Sequence, residues 1–374
     1  MKFVDLNAQF QAIESETRAA IDRVLEHGQF IMGPEVFELE DKLANFTGVK
    51  HAISCASGTD ALLMALMAYD VGPGDAVFTT PFTFFATAEV IALLGVTPVF
   101  VDIDSDTFNI DPEKLEGVIE KFKQTSKLRP RGVIPVDLFG LTADYSRINE
   151  ICNKHNLFVI EDAAQSFGAT YNGKRAGNLA DVGTTSFFPA KPLGAYGDGG
   201  ALFTDNDALA KEYKSIRMHG QGVNQYDNVR LGITGRLDSI QAAVLICKLK
   251  IFEDELIRRN EIASQYQRLL SDVVKTPSVP ENYSSAWALF SVLSERRDEI
   301  KQSLQEAGIP SVVYYPKPLH LQPAFSHLNQ EQGSFPIAEK ISGGILSLPI
   351  HPYLTNAEVE QICACVIDTM EEAA

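Results

Sequence analysis

Positive charge is scarce in this sequence. It contains 32 lysines and arginines against 49 aspartates and glutamates, which gives a formal net charge of −17. Nucleic acids and anionic membranes bind basic surfaces, so this balance argues against both as partners. An anionic ligand would need local cations or helix N-termini to overcome the field of the whole protein.

Long apolar runs and cysteine pairs are also missing. No run approaches the roughly 18 residues that a membrane span needs, and the start, MKFVDLNAQF, lacks the features of a secretory signal. Five cysteines without a CxxC pair argue against a disulfide framework or a four-cysteine zinc site. The histidines show no paired-ligand spacing, so no metal site is predicted. We expect a cytoplasmic protein with reduced thiols.

The chain of 374 residues is long enough for two domains with a large core. An amphipathic helical pattern ends before Gly28, and a second helix is predicted over 34–46 with Gly48 just past its end. Short apolar runs then alternate with helical patterns, which is typical of buried strands in a largely parallel sheet. The predicted strands are 52–55, 76–80, 98–101, 132–136 and 158–160, followed by 184–188 and 201–204.

A long helical segment from 237 to about 270 leads to a shorter, mixed region. That region contains predicted strands at 288–293 and 312–315 and a predicted helix at 298–307. A final helix opens at Thr355 with Glu358 three residues on, which is a capping box. We predict an α/β protein with a large domain, residues 1–250, and a smaller α+β domain, residues 251–374.

One lysine, Lys191, stands between Pro189 and Pro192 just ahead of a glycine cluster. Proline fixes the backbone on both sides, and glycine lets the chain turn close to a bound group, so the amine is held in place. A positioned, partly desolvated lysine can lose its proton near neutral pH and attack a carbonyl. The commonest use of this chemistry is the Schiff base with pyridoxal phosphate. The alternative is a structural lysine in a tight β-connection.

Two acids and an amide follow the predicted strand 158–160, namely Glu161, Asp162 and Gln165. Ligands of α/β sheets bind at the carboxyl ends of strands, so Asp162 and Lys191 can reach one pocket. A carboxylate there would hold a pyridine nitrogen protonated and make the ring an electron sink. The alternative is an aspartate that hydrogen-bonds its own turn.

A candidate phosphate site lies where a strand leads into an apolar helix. The amides of Gly58 and Thr59, with the positive end of that helix, would cradle a phosphate, and Ser186 would add a hydroxyl. Serine, threonine and aspartate are also favoured N-cap residues, so a plain helix start is the alternative. Among the phenylalanines of PFTFFATAEV, Phe84 is the predicted stacker on a flat cofactor, although such rings are more often core.

Several motifs occur in order along the chain, namely SGTDAL, EDAAQSFGA, SFFPAKPLGAYGDGGAL and GRLDSIQAAVL, together with FVDL, HGQFIMGPEV, VVYYPKPLH and LSLPIHPYL. These motifs resemble the DegT/StrS family of pyridoxal-phosphate sugar aminotransferases. The match covers nearly the whole chain. The resemblance implies the aspartate aminotransferase fold, also called fold type I, and a homodimer whose active sites lie between subunits.

The resemblance also implies cofactor contacts by matched position. Lys191 would bond to the cofactor, Asp162 would face the pyridine nitrogen and Gln165 would support the ring. The residues implied to hold the phosphate are Gly58, Thr59 and Ser186.

Three further roles follow from the resemblance alone. Family members usually send an asparagine from the partner subunit to the phosphate, and the matching position here is Thr234, whose hydroxyl sits on a shorter stem. Arg236, in the same loop, is implied to reach an anionic part of the substrate. Tyr314 and Tyr315 are implied to contact the sugar.

The activity that the resemblance implies is a ping-pong transamination. L-glutamate would give its amino group to the cofactor, leaving pyridoxamine phosphate and 2-oxoglutarate, and a nucleotide-linked keto sugar would then accept it. The GDGG, HGQ and RLDSIQAA motifs favour a 3-keto sugar, such as UDP-2-acetamido-3-oxo-glucuronate or a dTDP-3-keto-6-deoxyhexose, for surface polysaccharide such as lipopolysaccharide O-antigen. A 4-keto sugar is the alternative.

Rival functions also have distinguishing features in the sequence. A dehydratase on the same scaffold typically carries histidine in place of the lysine, and this chain has Lys191. A nucleotide-binding Rossmann module would show a GxGxxG turn after its first strand, which is missing here. A regulatory or sensory protein that binds the cofactor without turnover stays open.

Overall fold

The computed structural model describes residues 1–224 and 226–371, and a seven-stranded sheet lies at its centre. The first strands in chain order are β1 (His51–Cys55), β2 (Asp75–Thr79), β3 (Thr97–Phe100), β4 (Arg129–Ile134) and β5 (Phe158–Asp162). The next are the short pair β6 (Thr170–Tyr171) and β7 (Lys174–Arg175), then β8 (Val182–Ser186) and β9 (Gly200–Thr204).

The spatial order of the central sheet is β1-β9-β8-β5-β4-β2-β3. Strands β8, β5, β4, β2 and β3 run parallel to one another, whereas β9 runs antiparallel to both β1 and β8. The predicted α/β class with a largely parallel sheet is therefore confirmed. Strand β9 turns back because the chain between β8 and β9 is a tight loop rather than a crossover helix.

Helices pack on both faces of this sheet. They are α1 (Leu6–Ala12), α2 (Glu14–His27), α3 (Pro34–Thr47), α4 (Gly58–Ala68), α5 (Ala86–Leu93), α6 (Pro112–Thr125), α7 (Tyr145–His155), α8 (Asp207–Ile216) and α9 (Ser239–Leu270). Alternation along β9 shows the two faces, because Ala201 and Phe203 join the core with α3 and α9 while Leu202 joins the core with α4 and α8.

The N-terminal helical pattern forms two helices rather than one. Helix α1 ends at Ala12 and α2 begins at Glu14, with Ile13 between them at a non-helical φ of −127°. The predicted helix ends are confirmed: Gly28 and Gly48 close α2 and α3 in the left-handed region, at φ of 70° and 77°. Glycine is favoured at these positions because it has no Cβ.

A second core forms around the distal half of α9. It contains β11 (Phe290–Leu293), β12 (Ile345–Leu348), α10 (Arg297–Glu306) and α12 (Asn356–Glu371). Strand β10 (Tyr283–Ser284) pairs with β6, and α11 (Pro336–Gly344) precedes β12. The predicted domain boundary at residue 250 falls inside the continuous helix α9 and stays a prediction.

The predicted capping box at the last helix is confirmed. Glu358 N donates to Thr355 Oγ1 at 3.2 Å, and Thr355 N donates to Glu358 Oε2 at 2.9 Å. Both first-turn donors therefore have acceptors at the start of α12.

The strand predicted at 312–315 does not form, so this prediction was wrong. Val312 makes only an isolated antiparallel bridge to Ser347, and the chain then leaves β12 for the edge of the central sheet. Pro316 and Pro318 follow, and proline cannot donate the backbone hydrogen bonds that a longer strand needs. Other predicted boundaries shift by two or three residues: β4 begins at Arg129, β8 spans Val182–Ser186, and β11 begins at Phe290.

Across residues 1–224 and 226–371, no helix is both long enough and apolar enough to cross a bilayer. The five cysteines are free thiols, four of them buried and Cys365 partly exposed.

Candidate active site

A cavity of about 450 Å³ opens at the carboxyl ends of β5 and β8. Nine of the residues predicted from the sequence line it: Gly58, Thr59, Phe84, Asp162, Gln165, Ser186, Lys191, Tyr314 and Tyr315. Two predicted site residues, Thr234 and Arg236, are not among the lining residues. A wider depression of about 600 Å³ lies elsewhere, around Asp181 and Asp205, and none of the predicted residues lines it.

A tight turn presents Lys191 to the cavity. Lys191 N donates to the carbonyl of Phe188 at 2.8 Å, and Ala195 N donates to the carbonyl of Phe187 at 2.7 Å. A Cβ at Gly194 would lie 2.4 Å from the carbonyl oxygen of Pro189, so the turn closes only with glycine there. Burial lowers the pKa of Lys191, and the charge of Asp162 partly opposes this shift. The surroundings thus favour the neutral amine more than water does.

Asp162 ends β5 and is only 5% exposed. Burial raises the pKa of its carboxyl group, while hydrogen bonds from Thr87 and Ala164 and the charge of Lys191 lower it. The Thr87 hydroxyl donates to Oδ2 at 2.9 Å and the Ala164 amide to Oδ1 at 3.2 Å. The alternative raised from the sequence was an aspartate that hydrogen-bonds its own turn, and Oδ1 of Asp162 does accept from Ala164 in this way. Asp162 nevertheless also lines the cavity.

Two further buried acids lie behind Asp162. Asp137 accepts hydrogen bonds from the Tyr145 hydroxyl at 2.9 Å and the Ser166 hydroxyl at 2.7 Å. Burial, with a contribution from the charge of Asp162, raises the pKa of Asp137 to about 7. Burial also raises the pKa of Glu161, and the charge of Asp137 adds to the effect. Because neighbouring negative charges disfavour one another, Asp137, Glu161 and Asp162 do not all ionise easily at the same time.

The predicted phosphate site is a close approach of two backbone segments. A Cβ on Gly58 would lie 2.6 Å from the Cβ of Ser186, so a side chain at position 58 would force the segments apart. Ser57 caps α4 by accepting from Asp60 N at 3.0 Å. The amides of Gly58 and Thr59 lie in the first helical turn, where the helix supplies no acceptor. Such a cluster of donors suits an anion.

The aromatic residues after β2 differ in exposure. Phe82 is fully buried, and the ring of Phe85 lies 5.3 Å from that of Phe325. Phe84 is 57% exposed and lines the cavity. Of the three, Phe84 is the ring left open to a ligand, and its stacking role stays a prediction.

Gln165 is fixed by two hydrogen bonds. Its Nε2 donates to the Tyr315 hydroxyl at 3.2 Å, and its Oε1 accepts from the amide of Phe139 at 2.9 Å. Burial raises the pKa of Tyr315, so its hydroxyl stays protonated. This bond joins the sheet edge to the segment after Val312 and closes one side of the cavity.

Thr234 and Arg236 lie on the segment 218–236. The Thr234 hydroxyl is 2.9 Å from His219 Nε2, and Arg236 Nε has no hydrogen-bond partner. Val223 and Leu231 on the same segment are 99% and 88% exposed. A single chain therefore does not bring these two predicted residues to its own cavity.

Sequence reasoning missed several residues of the cavity wall. Thr83, just before α5, and Thr87, in its first turn, line the cavity next to Asp162. Their position just after a strand end, at the edge where ligands bind, was the available signal. Phe3 and Leu289 also line the cavity, and they come from distant parts of the chain that no local pattern connects.

The chain is similar to known proteins in both sequence and structure. A UDP-2-acetamido-2-deoxy-3-oxo-D-glucuronate aminotransferase from Pseudomonas aeruginosa is 48% identical over 367 residues, covering 98% of this chain and 99% of that protein. Similar solved structures include a DegT DnrJ EryC1 StrS aminotransferase from Brucella abortus, with 52% identity, a TM-score of 0.97 and 99% of each chain covered.

A more distant solved structure contains a bound cofactor. NtdA from Bacillus subtilis with the cofactor PMP is 28% identical, with a TM-score of 0.88 over 99% of this chain and 83% of that one. A sequence model of the DegT/DnrJ/EryC1/StrS aminotransferase family matches residues 11–367, and the chain belongs to this family.

Proposed function

We propose that this protein is a pyridoxal-phosphate (PLP)-dependent aminotransferase that moves an amino group from L-glutamate to carbon 3 of a nucleotide-linked keto sugar. The observation that carries the proposal is the single cavity shared by Lys191, Asp162 and the anion cradle at Gly58. The relative from Pseudomonas aeruginosa, named for a UDP-linked 3-oxo sugar, supports the keto position. The amino sugar would serve surface polysaccharide such as lipopolysaccharide O-antigen.

The donor set of the cavity fits PLP. Lys191 would bond to the aldehyde, and Asp162 would face the pyridine nitrogen. Ring and phosphate contacts would come from Phe84, Gln165, Gly58, Thr59 and Ser186, all of which line the cavity. Bound PLP would supply the electron sink at the carbon that loses its proton and would store the amino group between half-reactions.

Lys191 would do the proton transfer of both half-reactions. Its lowered pKa leaves more neutral amine near neutral pH than an exposed lysine has. Once displaced by the amino donor, Nζ would take the proton from the donor's α-carbon and hold it beside the reacting atoms. Ionised Asp162 would keep the ring nitrogen charged throughout, which requires that its own proton be lost despite burial.

The anionic substrates point to a second subunit. Lys191 is the only arginine, lysine or histidine among the described residues that line the cavity, yet glutamate carries two carboxylates and a nucleotide sugar carries a diphosphate. We therefore propose a homodimer in which the stretch 233–236 reaches the partner's cavity. Arg236 would meet an anionic group of the substrate and Thr234 the phosphate, with Tyr314 and Tyr315 against the sugar.

Absorbance spectroscopy of purified protein with PLP tests the cofactor assignment. We expect a visible band of lysine-bound cofactor that Lys191→Ala removes. The matched control is Lys248→Met, because Lys248 is another buried lysine and lies outside the cavity lining. A band that survives in Lys191→Ala, or one that Lys248→Met also removes, contradicts the role given to Lys191.

Product analysis separates an aminotransferase from a protein that only binds the cofactor. With L-glutamate and no acceptor, one equivalent of 2-oxoglutarate per site is expected. A panel of UDP- and dTDP-linked 3-keto and 4-keto sugars, generated in place by partner enzymes, then identifies the acceptor. Turnover confined to 4-keto sugars would overturn the carbon-3 assignment, and no 2-oxoglutarate at all would favour the regulatory alternative.

A further inference from the structure

Two threonine hydroxyls form a series of hydrogen bonds that ends on Asp162. Thr87, 1% exposed at the start of α5, donates Oγ1–H to Asp162 Oδ2 at 2.9 Å. Thr83, 2% exposed, lies with its Oγ1 3.1 Å from Thr87 Oγ1. Both side chains line the cavity. The proposed function gives neither of them a role.

The hydrogens of this series have one favoured direction when Asp162 is ionised. A carboxylate only accepts hydrogen bonds, so Thr87 must give its single hydroxyl hydrogen to Oδ2. The Thr87 oxygen is then free to accept from Thr83. A protonated Asp162 carries a donor of its own and no longer needs the hydrogen from Thr87, so the series favours the ionised form.

We propose that Thr87 is a positioning residue that keeps Asp162 ionised and aimed at the pyridine nitrogen of the cofactor, with Thr83 supporting Thr87 from behind. The inference rests on the proposed function, because it concerns the residue assigned to the ring nitrogen. Thr87 acts through Asp162 rather than on the reacting atoms.

The surroundings of Asp162 explain why such support is needed. Burial is the largest influence on its pKa and raises it, and the Thr87 hydrogen bond is the largest influence that lowers it. The titratable groups that face Asp162, or lie directly beside it, are Lys191, Asp137, Glu161, Tyr145 and Tyr315.

Only one of these neighbours favours a charge on Asp162. Lys191 does so while it is protonated, but a lysine bonded to the cofactor or awaiting a proton gives less help. Asp137 and Glu161 are acids and oppose the charge when ionised, and burial keeps Tyr145 and Tyr315 protonated. The Thr87 hydroxyl is therefore the side-chain contact that supports the carboxylate at every stage.

The test measures the PLP affinity of the apoprotein from about pH 5 to about pH 8, the range in which a raised carboxyl pKa shows. Thr87→Val removes the hydroxyl at nearly constant volume, and Thr87→Ser keeps it. The control is Thr79→Val, because Thr79 is also buried and donates to the carbonyl of Ile134 at 2.8 Å, outside the cavity lining. Thermal unfolding of each apoprotein checks that the fold is intact.

We expect Thr87→Val to weaken PLP binding by about ten- to a hundred-fold, the usual value of a hydrogen bond to a charged group. As the pH is lowered, the PLP affinity of Thr87→Val should also begin to fall at a higher pH than that of the wild type. The reason is that Asp162 without the Thr87 hydrogen bond takes up its proton at a higher pH. Thr87→Ser should restore the wild-type profile. Thr83→Val should give a smaller shift in the same direction and decides the matter if Thr87→Val does not fold.

Two results would overturn the inference. One is a Thr87→Val profile that superimposes on that of the wild type, and the other is a Thr79→Val profile that shifts as far as that of Thr87→Val. Wild-type protein that binds no PLP refutes the proposed function instead, so the two failures are distinguishable.

Discussion

The residues proposed to bind or transform ligands lie in two regions that are held in different ways. The cavity around Lys191 and Asp162 is built from strand ends and closed turns, and nine predicted residues meet there. The second region, residues 218–224 and 226–236, is largely exposed, carries Thr234 and Arg236, and turns apolar side chains such as Val223 and Leu231 to solvent. The first region carries the groups proposed to hold the cofactor, and the second carries Arg236, the cation proposed to meet the substrate.

Mixing two inactive variants is the strongest test of this division. Lys191→Ala should lower turnover by about a thousand-fold or more, because it removes the proton-transferring amine, and Arg236→Ala should weaken substrate binding severely. If the two residues act in different subunits, a mixed dimer has one complete site. Equal amounts of the two variants should then recover roughly a quarter of wild-type activity after subunit exchange.

The control is each variant exchanged with itself, which should stay inactive. Tagged subunits verify that exchange has occurred. Mixed dimers that then recover no activity would show that Lys191 and Arg236 act in the same subunit, which would contradict the division into two regions.

A second test concerns Arg217, the residue directly before the exposed segment. Arg217 is buried, pairs with Glu40 and donates to the carbonyl of Ser54 at 2.7 Å. Arg217→Met should lower the free energy of unfolding by about 3 kcal/mol or more, because it leaves Glu40 buried without its charge partner. Urea unfolding measures the effect.

The matched variant is Arg230→Met, since Arg230 pairs with Glu212 at 3.7 Å in a partly exposed setting. It should cost about 0–1 kcal/mol. Equal losses for the two variants would mean that the segment is not anchored at Arg217.

The smallest expected effect concerns Thr234. Thr234→Asn introduces the amide that the family resemblance implies at this position and should tighten PLP binding by about ten-fold or less, the value of one hydrogen bond. Equilibrium dialysis measures the change in affinity. Thr204→Asn is unsuitable as a control, because Thr204 is buried in β9. Weaker binding in Thr234→Asn would show that the Thr234–His219 contact is the better arrangement for this chain.

Sequence reasoning succeeded where neighbouring residues decide the structure. The capping box at Thr355 and the glycine ends of α2 and α3 depend on a few consecutive residues, and each formed as predicted. The turn at Lys191 is also local, since its closing hydrogen bonds span only Phe187 to Ala195.

Sequence reasoning failed where distant partners decide. The pattern at 312–315 predicted a strand, but Val312 meets β12 at one bridge only, and Pro316 and Pro318 prevent the pairing from continuing. The break at Ile13 is invisible in an apolar periodicity that continues across it. Thr87 could not be linked to Asp162 from the sequence, because their contact joins residues 75 positions apart.

Gly58 limits how this cavity can be altered by mutation. Any larger residue there would meet Ser186 at 2.6 Å, so libraries that vary the pocket should return glycine at 58 almost without exception. Phe188, by contrast, is 53% exposed and lines the cavity, so its replacement leaves the core intact. Substrate range is therefore free to diversify at Phe188 while the anion anchor stays fixed.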